Sequence, residues 1–270
     1  MKYKLIISDY DATLSDSHVM PTVVRDAIER YRNNGGKFVI CTGRPYNSVK
    51  KILDNANLTI DALCVNQGSQ IIIDGNFIKE GGMDGKTVAS LVKDARAFGK
   101  EATTISREYH YEGNGPGVLK YINYHSVHTP VHYHDDLAEY CQNSNETFCR
   151  IILQKDPDED EKVFQKYITD KYDGKIIVNS GAPWLIEMVS KDSNKYTGAS
   201  FIANYFNIKE SETITMGDST NDLMLLKFGL SFAVLNAVEE VKQAVRYIVA
   251  DVADFPIVDI INTILDGKDF

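Results

Sequence analysis

Two carboxylates, Asp9 and Asp11, directly follow the apolar run Leu5-Ile6-Ile7. A short apolar run ending in acidic residues predicts a buried strand whose C-terminal tip carries function. Residues two apart on a strand point the same way, so both carboxylates are expected to face one site. Two such groups repel unless a cation or a proton intervenes. The pair therefore suggests a divalent metal and a division of labour between nucleophile and acid/base. Read alone, it is equally the start of a solvated loop with an Asx turn.

Three further clusters follow strand-like runs or open helices. Thr42-Gly43-Arg44-Pro45 offers a hydroxyl, a close backbone approach, a guanidinium and a helix start, a combination suited to an anion. It is also an ordinary strand-to-helix turn with a surface arginine. Lys195 opens a helical stretch, where a cation opposes the helix dipole and calls for a compensating anion or for solvent. Gly217-Asp218-Ser219-Thr220-Asn221-Asp222 crowds two carboxylates and an amide into one turn. That oxygen-rich grouping suits Mg²⁺, and Thr220 or Asp222 is also a natural helix cap.

The elements that must carry these residues alternate. Strands are predicted at 5–8, 37–41 and 62–65, with helices at 21–33 and 45–55 between them. Residues 71–73 and 77–78 flank Asp74-Gly75 as a hairpin. From about residue 84 to 183 the pattern becomes α+β: helices at 86–98 and 158–172, strands at 118–124, 147–154 and 176–179. Alternation then resumes, with helices at 194–206, 222–228 and 238–246 and strands at 213–216 and 232–235. The prediction is a doubly wound, Rossmann-like parallel sheet made of residues 1–82 and 187–270, with an inserted α+β domain at 83–186.

The chain has 270 residues and a formal net charge of −9, which disfavours a nucleic-acid-binding face. It contains no run of eighteen apolar residues, so no membrane span is expected. Met-Lys-Tyr-Lys leads straight into a strand without a secretory segment. Cys41, Cys64, Cys141 and Cys149 form no C-x-x-C pair, so neither zinc nor a disulfide framework is indicated. A cytoplasmic setting is the expectation.

Taken in order, D-x-D-x-T from Asp9 to Thr13, T-G-R from Thr42 to Arg44, Lys195, and G-D-x-x-N-D from Gly217 to Asp222 resemble the haloacid dehalogenase superfamily. The insert resembles the large α/β (type IIB) cap of its Cof-like phosphatase branch. Residues 232–237 are similar to the family's apolar strand ending in Asn-Ala. The resemblance implies that Asp9 is a nucleophile forming an aspartyl-phosphate, and that Asp11 protonates the leaving oxygen and then activates water. It implies Mg²⁺ held by Asp9, the main-chain carbonyl of Asp11 and Asp218, with Asn221 and Asp222 supporting from the loop. Thr42, the Gly43 amide, Arg44, Lys195, Asn66 and Asn221 are the implied phosphate- and substrate-binding residues. A carboxylate at Asp11 favours phosphoryl transfer over dehalogenation.

The chain departs from the family pattern at three places. Ala12 stands where the family usually has glycine; if that position needs positive φ, alanine is strained by roughly 1 kcal/mol or more. Lys195 is followed by Tyr196-Thr197 in place of glycine, and Asn66-Gln67-Gly68 replaces Asn-Gly. Within the insert, His125, His128, His132 and His134 cluster without a completing ligand pattern, and are expected to face solvent or substrate. Tyr109, Tyr111, Tyr121 and Tyr124 are expected to pack on strands, and Asp156 to Glu161 to open a helix.

The resulting expectation is a Mg²⁺-dependent phosphatase of a small phosphorylated metabolite, first a sugar phosphate, or a phosphorylated cofactor such as flavin mononucleotide or pyridoxal phosphate. The alternatives are a phosphomutase, with Lys120, His125, His128 and Arg150 forming a second anion site, and a catalytically weak regulator that binds phosphometabolites.

Overall fold

The computed structural model describes residues 1–17, 19–106, 110–113, 131–154, 161–182 and 185–270. The expected strand at 118–124 lies outside the described residues. So do Tyr109, Lys120, Tyr121, Tyr124, His125, His128 and all of the acidic run 156–161 except Glu161.

In chain order the first elements are β1 (Leu5–Ser8), α1 (Thr22–Asn33), β2 (Lys37–Cys41), α2 (Tyr46–Ala56), β3 (Ala62–Val65), β4 (Gln70–Ile73) and β5 (Asn76–Glu80). Then come β6 (Met83–Asp84), α3 (Gly85–Ala97), β7 (Ala102–Ile105), β8 (His110–Gly113), β9 (Val131–His134), α4 (Leu137–Asn143), β10 (Thr147–Phe148), β11 (Arg150–Gln154), α5 (Glu161–Lys171), β12 (Ile176–Ala182) and β13 (Leu185–Ser190). The last are α6 (Lys195–Tyr205), β14 (Thr213–Gly217), β15 (Leu230–Ala233), α7 (Glu239–Ala244), β16 (Tyr247–Ile248) and α8 (Pro256–Leu265). Two compact units result: Met1–Lys79 with Lys195–Phe270, and Glu80–Asn194.

The first unit is built on an eight-stranded sheet of order β16-β15-β14-β1-β2-β3-β4-β5. From β16 to β3 every pairing is parallel, and β4 turns antiparallel to β3. Parallel strands covered on both faces read as continuous apolar runs, and β1 shows why. Ile6 joins one core with Phe38, Ile40, Ile214 and residues of α1 and α8; Leu5 and Ile7 join the other with Val39, Cys41, Cys64 and residues of α6. Helix α1 buries Val24, Ala27, Ile28 and Tyr31, one stripe at helical spacing. In the β4–β5 hairpin Asp74 and Gly75 both take positive φ, 50° and 76°, the backbone that a two-residue turn between strands requires.

The second unit carries a separate six-stranded sheet, β12-β13-β11-β7-β8-β9, antiparallel except at β8–β9. Helices α3, α4 and α5 pack on one of its faces through Val88, Leu91, Leu137, Cys141, Phe164 and Ile168. Residues 80–82 and 187–194 group with this unit.

The structure departs from the predicted elements in several places. The strand expected at 147–154 is two strands in two sheets: β10 pairs with β6, β11 with β7 and β13, and the Cys149 amide donates to the Ile105 carbonyl between them. Residues 222–228 form two separate 3₁₀ turns, Thr220–Asp222 and Leu225–Lys227, rather than a helix. Asp222 turns its carboxylate back to the amides of Asp218 and Ser219, which closes a tight turn. The strand expected at 232–235 is β15, two residues earlier. Strands β6, β7, β8, β9, β13 and β16 and helices α4 and α8 were not among the expected elements.

Candidate active site

The carboxyl ends of β1, β2, β14 and β15 share one edge of the parallel sheet. Strand β1 has β2 on one side and β14 on the other, the point where the winding reverses and where such sheets bind ligands. Asp9 follows β1 immediately, its amide donating to the Met216 carbonyl at 3.0 Å. Asp218 follows β14. Lys195 is the first residue of α6.

These residues meet in one buried cluster. The Lys195 ammonium donates to Asp9 Oδ1 at 2.7 Å and to Asp222 Oδ1 at 2.6 Å. Lys195 is 1% exposed and Asp222 is fully buried. Gly217 leaves room for this packing, since a Cβ there would lie 2.7 Å from Asp222 Cγ. Among the described residues, Asp9, Asp218 and Asp222 form a group whose ligand oxygens lie within 4.8 Å of one another. Three carboxylates thus face one ammonium, an excess of two negative charges when all are ionised. Burial, reinforced by Asp222, pushes the Asp218 carboxyl up to about 7. Burial likewise raises Asp9 well above the usual range, against the pull of Lys195. For Lys195 burial works against the charge, but Asp222 and Asp9 outweigh it and hold the ammonium firmly protonated. An all-oxygen donor set with a two-charge deficit fits a hard divalent cation, which would be held by Asp9, Asp218 and Asp222.

Asp11 stands apart from this cluster. Strand alternation predicts both carboxylates on one strand face, but β1 stops at Ser8 and Asp11 lies in the following turn, bridged to Ser15. Its carboxylate, 51% exposed, is gripped by Arg44: Nε donates to Oδ2 at 2.8 Å and Nη2 to Oδ1 at 2.5 Å. Separate cations therefore serve the two aspartates. Ala12 has φ 55°, in the left-handed region, and its amide closes the turn onto the Ser15 carbonyl at 2.8 Å. Asn236 Nδ2 holds the Ala12 carbonyl at 2.8 Å, while Asn236 Oδ1 accepts from the Val252 amide. Thr13 donates its hydroxyl to Asp218 Oδ1 at 2.6 Å. Thr13 and Asn236 both lay inside quoted motifs, yet neither was expected among the site residues; their roles rest on contacts across more than two hundred residues.

The remaining expected residues line the neighbouring loops. Thr42 is buried at the end of β2, its Oγ1 accepting from the Arg44 amide at 3.1 Å. The Gln67 amide donates to the Thr42 carbonyl and the Asn66 amide to the Arg44 carbonyl, tying the two loops together. Asn66 itself is fully buried and donates Nδ2 to Gln70 Oε1 at 2.9 Å, while its Oδ1 has no hydrogen-bond partner among the described residues. Asn221 Oδ1 engages the Ser219 hydroxyl at 2.8 Å and supports the turn. His132 and His134 lie on β9 of the second unit, with His134 stacked on Tyr140 at 3.8 Å.

A family model described as haloacid dehalogenase-like hydrolase matches residues 6–261. The 5-amino-6-(5-phospho-D-ribitylamino)uracil phosphatase YitU of Bacillus subtilis strain 168 is 26% identical over 253 residues, covering 88% of this chain and 89% of its own. Among solved structures, a haloacid dehalogenase-like hydrolase from B. subtilis matches with a TM-score of 0.84 at 19% identity, over 96% of this chain and 99% of that one. The HAD subclass IIB sugar phosphatase BT4131 matches with a TM-score of 0.80 at 22% identity, over 98% and 99%. These structural likenesses establish the fold. No helix among the described residues is long and apolar enough to cross a membrane.

Two outcomes are expected. An Ala12→Gly substitution relieves a left-handed alanine and is expected to raise the unfolding free energy by roughly 1 kcal/mol in denaturant titrations; a loss of stability would contradict the strain. A carboxyl raised from 3.8 to about 7 costs the metal-free protein stability as pH climbs through that window. It must also lose its proton to bind a cation. Mg²⁺ is therefore expected to raise the melting temperature more above pH 7 than below it, and Asp218→Asn to lose most of that rise. An unchanged rise in the variant would remove Asp218 from the metal site.

Proposed function

We propose that this chain, which belongs to the haloacid dehalogenase-like hydrolase family, is a Mg²⁺-dependent phosphatase of a small phosphorylated metabolite that works through an aspartyl-phosphate on Asp9. The observation that carries this reading is the buried Asp9 carboxyl group, held by Lys195 inside a cluster that carries two uncompensated negative charges when its three carboxylates are ionised. Such a site repels an anionic substrate unless a divalent cation is bound, and with one it becomes a phosphate site. Mg²⁺ held by Asp9, Asp218 and Asp222, with the Asp11 carbonyl, would supply charge neutralisation of the phosphoryl oxygens.

In the first step an Asp9 carboxylate oxygen attacks phosphorus, the phosphorus–oxygen bond to the leaving group breaks, and Asp11 gives that oxygen a proton. In the second, Asp11 takes a proton from water as the water oxygen attacks the phosphoryl group, which releases inorganic phosphate and regenerates Asp9. Burial of Asp9 removes it from bulk water, and Lys195 favours the ionised form that attack requires. In this reading the Thr42 hydroxyl and the Gly43 amide, which follow β2, bind phosphoryl oxygens. The inserted second unit acts as a cap that selects the leaving group.

The relatives narrow the substrate class. BT4131 is described as a sugar phosphatase and YitU as a phosphatase of a phosphoribitylamino compound. A phosphorylated sugar or polyol chain is common to both and is the substrate class we assign; a phosphorylated cofactor is the next to test.

Phosphate release from a panel of sugar phosphates, phosphorylated polyols and phosphorylated cofactors is expected to require Mg²⁺ and to stop in chelator. Asp9→Asn is expected to lower turnover by at least about 10³-fold with its melting curve preserved. Isomerised sugar phosphate in place of free phosphate would make the enzyme a mutase. Binding without turnover would make it a regulator.

A further inference from the structure

Arg44 was expected to bind the substrate's phosphate, but its geometry points elsewhere. Building on the phosphatase reading, we propose that Arg44 is a positioning residue for Asp11, setting the carboxylate's plane and place, and not a ligand of the phosphoryl group.

The contact is a two-pronged fork, Nε to Oδ2 and Nη2 to Oδ1, so both Asp11 oxygens are engaged at once. Such a fork fixes distance and plane together, which a point charge cannot do. Burial divides the pair unequally. Arg44 is 6% exposed, whereas the Asp11 side chain is half exposed, so the guanidinium is the fixed partner and the carboxylate is the reachable one.

The guanidinium is itself anchored on several sides. Nη1 donates to Ser48 Oγ at 3.2 Å on α2, and the group lies over the Tyr10 ring, 5.4 Å from its centroid. The Arg44 amide is held by Thr42 Oγ1 and its carbonyl by the Asn66 amide. Asn66 and Gln67 take positive φ, 50° and 61°, to bring those amides round. These contacts give the short loops after β2 and β3 a common purpose: they present a rigid guanidinium fork.

Asp11 needs such a partner. It sits on a turn with left-handed Ala12 behind it, and among the described residues the hydrogen bonds to its carboxylate come from Arg44. An acid/base that acts in both steps must stay aimed at one point, and an ångström of misplacement costs about 10²-fold in rate. The fork takes two of the guanidinium's five N–H groups and Ser48 a third, and with Arg44 only 6% exposed it is Asp11 that is presented to substrate.

The test compares wild type, Arg44→Gln, Arg44→Lys, Asp11→Asn and the Asp11→Asn/Arg44→Gln double variant. Steady-state kinetics on the best substrate is read beside calorimetric binding of inorganic phosphate in Mg²⁺. Arg44→Gln is expected to lower kcat by about 10²-fold, with KM and phosphate binding unchanged. Arg44→Lys is expected to restore little, because it returns charge without the fork. In the Asp11→Asn background, loss of Arg44 is expected to add nothing.

A raised KM with weakened phosphate binding at unchanged kcat would make Arg44 a phosphate ligand and overturn the proposal. So would a further full loss in the double variant. Arg44→Lys keeps the buried charge and reads the same contrast if Arg44→Gln does not fold. Phosphate binding is measured without turnover, so a weakening there sinks the Arg44 assignment even if wild type releases no phosphate. An inactive wild type whose phosphate binding is indifferent to Arg44 sinks the phosphatase reading alone.

Discussion

One ammonium against three carboxylates, two of them buried and Asp218 half-buried, is the constraint on which the rest of this site depends. Lys195 reaches Asp9 and Asp222 at hydrogen-bond distance, and Asp218 completes the acidic group. Taking such charges out of water is unfavourable, and the attraction within the cluster offsets that loss only where the geometry is good and the remaining lone pairs are satisfied. The surrounding contacts meet that condition: Thr13 donates to Asp218, and the Asp218 and Ser219 amides donate to Asp222. A divalent cation would balance the remaining excess charge. Burial and the neighbouring carboxylates raise the Asp9 and Asp218 carboxyls.

The sheet makes this cluster possible by topology. Asp9 and Lys195 are 186 positions apart in sequence, yet β1 and β14 pair in parallel and α6 packs on the face that carries Leu5, Ile7 and Cys64. The second unit accounts for much of that separation and leaves the sheet intact. Around the cluster, further contacts hold Asp11 and its turn. Asn236 fixes the backbone beside Asp11, Arg44 fixes its side chain, and the loop after β3 braces Arg44 from below. Positive φ at the non-glycine residues Ala12, Asn66 and Gln67 is held here by the surrounding structure.

Much of the architecture was legible in the sequence because apolar strands, turn dipeptides and helix stripes are local signals. The runs at 5–8, 37–41 and 62–65 became β1, β2 and β3 with those bounds, and Asp74-Gly75 became the tight turn of a hairpin. What escaped was non-local. No spacing rule joins Arg44 to Asp11, or Asn236 to Ala12, and Asn66 reads as a polar loop residue until its full burial is seen. The run at 147–154 looks continuous, since nothing local at Cys149 tells that the two halves serve different sheets. Residues 222–228 carry a helical pattern that loses to the demand for Asp222's carboxylate inside the cluster. Helix α8 is rich in isoleucine, a residue that also favours strands, and its stripe at Ile257, Ile260, Ile261 and Ile264 shows only against the sheet it covers.

The central claim is that Asp9 carries the phosphoryl group covalently. Rapid acid quench during turnover, followed by peptide mass analysis, tests it most directly, because acyl phosphates survive acid better than base. The account predicts one phosphoryl group on the peptide containing Asp9, lost on brief alkali and missing in Asp9→Asn. Full turnover with no phosphoryl group trapped on that peptide, or with the label on another residue, would contradict it.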